Sequence, residues 1–145
     1  MITPEQIDMG RVVTEIELVN HQDAVLAGAG ALPADKVRRM RIESIVDTGA
    51  SHLVIPKSVA DALGVPVIGE TGVRYADFRR AARQIVNDVE VHLLGRNGIF
   101  KAIVEPDRTN VLLGAIVLED MDFIVDCREQ KLVPRDPDRI LSEIE

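Results

Sequence analysis

Residues 39–56 read RMRIESIVDTGASHLVIP. Met40, Ile42, Ser44 and Val46 fall on one face, and Arg39, Arg41 and Glu43 on the other. A period of two marks a half-buried strand. The alternation stops at Asp47, and the apolar run resumes at Leu53, Val54 and Ile55. A carboxylate where core is due costs roughly several kcal/mol unless it is paired, hydrogen-bonded or neutralised. The strand must therefore end in a turn that presents the acid. Gly49 permits a tight backbone path beside it, Thr48 adds a hydroxyl on a stiff frame, and Ala50 is small. On the DTG triplet alone, the simpler reading is that Asp47 caps its own turn.

The rest of the chain reads as short strands with few helices. Residues 12–19 form a first strand rich in Val, Ile and Leu. Residues 21–35 are a long connection, partly helical at first or mobile. The stretch PKSVADAL at 56–63 predicts a short helix, with Pro56 at its first position and Gly64 as its stop. Residues 67–75 and 81–94 are extended about a bend at 76–79, and RNG at 96–98 predicts a hairpin turn that returns through 99–104. VLLG at 111–114 is a short buried strand, followed by a helical turn or two over 115–120. Residues 123–126 and 131–133 pair as a last hairpin, with Cys127 expected as a packed thiol. The expectation is one mainly β domain over 1–145, with a core at about 11–134 and an acidic tail at 135–145 holding one short helix.

Composition narrows the partners. The formal net charge of the 145 residues is -7, which argues against nucleic acid and anionic membrane as partners. Basic clusters at 36–41 and at Arg79, Arg80 and Arg83 have acids nearby and read as solvated strand faces. A single cysteine allows no internal disulfide and fits a reducing compartment. Residues 1–10 have neither a basic nor an apolar signal-peptide region, and residues 24–34 are too short to span a membrane. A cytoplasmic protein is expected. His21, His52 and His92 show no metal-ligand spacing, so no metal is expected. Ser51 and His52 are adjacent, and neighbours on a strand point to opposite faces, so they make no catalytic pair.

A second pattern gives Asp47 a chemical meaning. SIVDTGASHLVIPKSVADALGV is an apolar strand, a glycine turn and a helix, and VLLGAIVLEDMDFIVD about sixty residues later repeats that plan. With IVDTGAS at 45–51, a flap-like hairpin around residues 75–80 and VLLGAIVLE at 111–119, the chain resembles the retropepsin-like aspartic proteases, most closely their bacterial soluble members. The resemblance runs from about residue 11 to 134. It implies a closed, mainly β domain with short helices, forming one half of a two-fold homodimeric protease. Asp47 is then the catalytic residue, meeting its symmetry mate so that the pair shares a proton. Thr48, Gly49 and Ala50 support the active-site loop, and Tyr75, Ala76, Asp77 and Phe78 belong to the flap on the substrate side. The substrate is a peptide or protein bound by strand addition, and the chemistry needs no metal or other cofactor.

The sequence departs from that family in places. Phe78 stands where flap tips usually carry glycine, and Ala115 stands where retroviral relatives carry an arginine after the second glycine box. The acidic tail is additional. DTGAS also resembles the phosphate loop of actin-like ATPases, but a second such loop is missing from this sequence. The alternative within the same fold is a catalytically inactive dimerisation or peptide-binding module.

Overall fold

The computed structural model describes residues 11–145. The reading of residues 1–10 lies outside the described residues. Strand β1 (Val12–Asn20) leads directly into helix α1 (His21–Gly28), so the long connection is helical at its start. A single 3-10 turn, Ala34–Lys36, then leads to β2 (Arg39–Val46). There follow β3 (Leu53–Pro56), α2 (Lys57–Leu63), β4 (Val67–Arg74), β5 (Arg80–Leu93) and β6 (Arg96–Glu105). The remaining elements are β7 (Val111–Leu113), α3 (Ala115–Met121), β8 (Phe123–Asp126) and β9 (Lys131–Pro134).

The seven-stranded sheet has the order β1-β2-β7-β3-β6-β5-β4, and β1 also pairs with β5. That extra pairing closes six strands into a barrel and leaves β4 outside it, carried by β5 alone. The long strand β5 makes this possible. Its first half pairs with β4 (Arg74↔Arg80 to Val67↔Val86), and its second half pairs with β1 (Asn20↔Val89 to Glu17↔His92). Between the halves the β5–β6 register shifts from Val86 to Val89, and Asp88 takes φ 60°. A bulge bends a strand in this way and re-aims it.

The barrel interior is filled by the alternating apolar residues. Ile16, Leu18, Val46, Leu53, Ile55, Val86, Val89, Val91, Val104, Val111 and Leu113 are buried together, with Val59 and Leu63 from α2 and Val117 and Met121 from α3. The buried polar residues Asn20, Asp23 and Ser44 are partnered. Asn20 caps α1 by accepting from the Asp23 N–H at 3.0 Å and donates to the Leu63 carbonyl at 2.8 Å. Asp23 accepts from the Arg38 backbone N–H, Nε and Nη2 at 3.0, 2.8 and 3.0 Å, pinning α1 to the start of β2. These bonds, chiefly the guanidinium ones, hold the Asp23 carboxyl below its ordinary pKa against the opposing effect of burial.

The mainly β, closed architecture agrees with the expectation, and four local expectations are corrected. The hairpin turn after β5 lies at Leu94–Gly95, with φ 49° and 82°, and Leu93 pairs with Arg96. Two successive left-handed residues make a type I′ turn, so residues 96–98 belong to β6. Pro56 ends β3 and caps α2 instead of opening the helix, while Gly64 closes it at φ 66° as expected. Cys127 is exposed in the β8–β9 turn and is not a packed thiol. Residues 135–145 form no helix, and Ile140, Leu141 and Ile144 stand exposed. Among the described residues, no helix is long and apolar enough to cross a membrane.

Candidate active site

Asp47 sits at the first position after β2, where the barrel strand gives way to a loop. Its N–H donates to the Leu113 carbonyl at 3.0 Å, continuing the parallel β2–β7 ladder by one bond. The Gly49 N–H donates to Asp47 Oδ1 at 2.9 Å, and the Ala50 N–H returns to the Asp47 carbonyl at 3.1 Å. This is the self-capped turn of the simpler reading, and it orients the carboxylate. It engages one oxygen; the described residues give the carboxylate no other hydrogen bond. A Cβ at Gly49 would lie 3.2 Å from Asp47 Oδ1, so glycine lets the backbone approach the acid.

The second glycine box holds this loop in place. A Cβ at Gly114 would meet the His52 carbonyl at 2.3 Å and the Ala50 carbonyl and His52 nitrogen at 2.8 Å. Only glycine allows the two segments to touch so closely. The first turn of α3 then donates into the acid loop, Ala115 N–H to the Ala50 carbonyl at 2.9 Å and Ile116 N–H to the Ser51 carbonyl at 3.0 Å. Backbone bonds thus tie α3 down where the expected arginine is missing.

The loop opens onto a groove of about 720 Å³. Asp47, Gly49 and Ala50 form one wall, and Thr71, Gly72, Val73, Arg74, Tyr75 and Ala76 of the β4–β5 hairpin form another. Val54, Ile85, Ile103 and Leu112 line it as a contiguous patch, since Val54 pairs with Ile103 and Leu112, and Ile85 pairs with Ile103. Of the site residues expected from sequence, the fold brings Asp47, Gly49, Ala50, Tyr75 and Ala76 to this groove. Thr48, Asp77 and Phe78 do not line it.

At the hairpin tip the Tyr75 N–H bonds the Arg79 carbonyl and the Phe78 N–H bonds the Tyr75 carbonyl, both at 2.9 Å. The three-residue loop 76–78 is thereby closed, with Phe78 at φ 68° and 80% exposed. This is the position where glycine is preferred. Asp77 braces the turn by accepting from the Arg79 N–H at 3.1 Å and Arg79 Nε at 2.6 Å, which holds its carboxyl below the ordinary pKa.

Sequence reasoning missed the partners of Tyr75. Its hydroxyl donates to the Glu105 carboxylate at 2.8 and 2.9 Å, and Arg83 Nε donates to the same carboxylate. The guanidinium carbons of Arg79 and Arg83 lie 5.2 and 5.8 Å from the Tyr75 ring centre. Burial first, and the Glu105 carboxylate second, push the Tyr75 hydroxyl above its ordinary pKa, so it remains a donor. Lys101 and Arg108 also line the groove. Alternation along β6 places Lys101, Ile103 and Glu105 on one face, but only the strand order places that face opposite Asp47.

Residues 36–120 match the family described as "gag-polyprotein putative aspartyl protease". The chain belongs to that family. Being retropepsin-like, it is an aspartic-type endopeptidase, and the DTG box lies within the matched span. Among solved structures, the EIAV protease complexed with the inhibitor HBY-793 superposes with a TM-score of 0.52 at 20% identity, over 76% of this chain and 86% of that one. The foamy viral protease-reverse transcriptase in complex with RNA/DNA hybrid has a TM-score of 0.45 at 18% identity over 54% of this chain. This chain spans only 10% of that longer protein. The simian foamy virus (mac) protease gives 0.43 at 13% identity, over 54% of this chain and 80% of that one. The fold correspondence rests on the EIAV protease. No curated protein matches this chain.

Proposed function

We propose that the protein hydrolyses peptide bonds as a homodimer, with the Asp47 carboxylates of two protomers forming one catalytic dyad. In this reading residues 11–134 are one catalytic unit that works in a reducing, cytoplasmic setting. The observation that carries it is the placement of Asp47: a carboxylate oriented by its own turn, clamped by Gly114, and opening onto a groove walled by a β-hairpin. One chain supplies one such acid, and a two-fold axis supplies the second.

Two carboxylates in close contact do not both ionise, so one proton is shared between them. The ionised member takes a proton from a bound water. That water attacks the scissile carbonyl, which the protonated member polarises. The tetrahedral adduct then collapses with cleavage of the C–N bond, as the first carboxyl passes the proton it took from water to the leaving amine. Thr48 braces the paired loops across the axis. The β4–β5 hairpin acts as a flap that covers an extended peptide, and the peptide lies along the groove by strand addition. No covalent intermediate and no metal take part in this mechanism.

The test is Asp47→Asn, assayed on a mixed peptide library by mass spectrometry. The expected result is loss of all cleavage products with the fold retained, read by circular dichroism. Cleavage at the wild-type rate would assign the chemistry to another residue.

A further inference from the structure

We propose that the groove selects peptides with an acidic side chain a few residues from the bond that is cut, read by Lys101 and Arg108. This rests on the peptide-binding reading of the groove given above. The chain has 24 acidic and 17 basic residues, so an unbiased surface would be acidic. Elsewhere its cations are mixed: Lys36, Arg80, Arg128, Lys131 and Arg139 also form no ion pair among the described residues, and the others are mostly paired. Arg38 pairs with Asp23, Arg41 with Glu15, Arg79 with Asp77, and Arg135 with Asp122.

The groove differs. Among the described residues, no ion pair forms at Arg74, Lys101 or Arg108, and all three line it. Its one lining acid besides Asp47 is Glu105, which Arg83 already neutralises. Arg108 is held in place, with Nε and Nη2 donating to Asn110 O and Oδ1 at 3.3 and 2.8 Å. Those contacts are neutral and leave the guanidinium charge uncompensated. The groove thus carries a cationic surplus, ordered at Arg108, beside the apolar patch of Val54, Ile85, Ile103 and Leu112. A carboxylate ligand gains charge-assisted hydrogen bonds there, and a neutral isostere does not.

The topology says where along the peptide the acid sits. Asp47 follows β2, and Lys101 lies on β6, three strands away in the sheet order. Strands lie about 4.8 Å apart, so Lys101 acts at a distance of residues, and the acid it reads avoids the Asp47 charge.

The experiment uses the full-length Asp47→Asn chain and pairs of fluorescent ten-residue peptides of Ala, Val and Leu. Each pair carries a single Glu or Gln, moved position by position from the centre. At about 20 mM salt, the Glu peptide is expected to bind about fivefold to tenfold tighter than its Gln partner at one or two off-centre positions. That preference should shrink towards parity at about 500 mM salt, where charges are screened within a few ångströms. In the same Asp47→Asn chain, Lys101→Gln/Arg108→Gln should bring the affinity for the Glu peptide down to that for its Gln partner. Equal binding of Glu and Gln peptides at every position overturns the proposal. So does a preference that survives in the double variant, or no binding by either peptide. Hydrolysis plays no part in this readout, so failure of the protease reading appears separately, as a wild-type chain that binds these peptides and leaves them intact.

Discussion

At the scale of single residues, two positions carry opposite signs of strain. Gly114 is filled space: any side chain there drives into the His52 and Ala50 carbonyls. Those are backbone atoms tied into the acid loop, so they cannot swing aside. Gly114→Ala should destabilise by about 1–3 kcal/mol, the usual cost of overpacking, and lower Tm by roughly 3–10 °C in a domain of this size. A thermal melt checks this, and an unchanged Tm would mean that the loop is not clamped. Phe78 is the reverse case. Its φ of 68° costs a non-glycine residue about 1 kcal/mol, and with its side chain 80% exposed there is little packing to offset that. Phe78→Gly should therefore raise stability slightly, by up to about 0.5 kcal/mol once the looser unfolded chain is counted. A lower Tm in this variant would show that Phe78 makes contacts that outweigh its backbone strain.

At the scale of elements, the hairpin is latched to the barrel by one side-chain cluster. Tyr75 precedes the turn between β4 and β5, Glu105 ends β6, and Arg83 lies on β5. Removing the Tyr75 hydroxyl leaves Glu105 paired with Arg83 but cuts the bonds to the hairpin tip. Hydrogen bonds to charged groups contribute about 1.5–3 kcal/mol. Tyr75→Phe should accordingly speed amide exchange at residues 71–75 by roughly tenfold to a hundredfold, with residues 89–93 in the barrel unaffected. Uniform exchange across both segments would show that the hairpin does not open as a unit. This cluster was not legible in the sequence. Tyr75 and Glu105 are thirty residues apart and meet only because the β5 bulge sends one half of that strand out to β4. The turn at Leu94–Gly95 was missed for a related reason: leucine at positive φ defies its own preference, and tertiary pairing of β5 with β6 imposes it. By contrast, the strand alternation at 40–46, the stop at Gly64 and the two glycine boxes were readable, because each follows from a local requirement of burial or space.

At the scale of the whole molecule, acid should loosen the closure of the barrel. Glu90 on β5 takes hydrogen bonds from His21 of α1 at 2.7 Å and from His92 at 2.8 Å. Burial pushes the Glu90 carboxyl upward, and the two imidazole bonds outweigh it, leaving the pKa below its ordinary value. Asp23 is held low as well. A carboxyl depressed in the folded state stabilises it at pH values above the unfolded pKa. That contribution is lost as pH falls through the folded value. Stability should hold steady above about pH 5 as far as these groups are concerned, and fall below about pH 4. Glu90→Gln and Asp23→Asn should each flatten that fall in denaturant titrations, and an unchanged acid limb would exclude them as its cause.

On the proposed shared dyad, one working site needs Asp47 from two chains. Mixing wild-type with Asp47→Asn chains, at fixed total concentration and after subunits have exchanged, measures it directly. A shared dyad makes every mixed dimer inactive, so an equimolar mixture should retain about one quarter of wild-type peptide hydrolysis. If each chain carries a complete site of its own, about one half remains, and the shared dyad is contradicted.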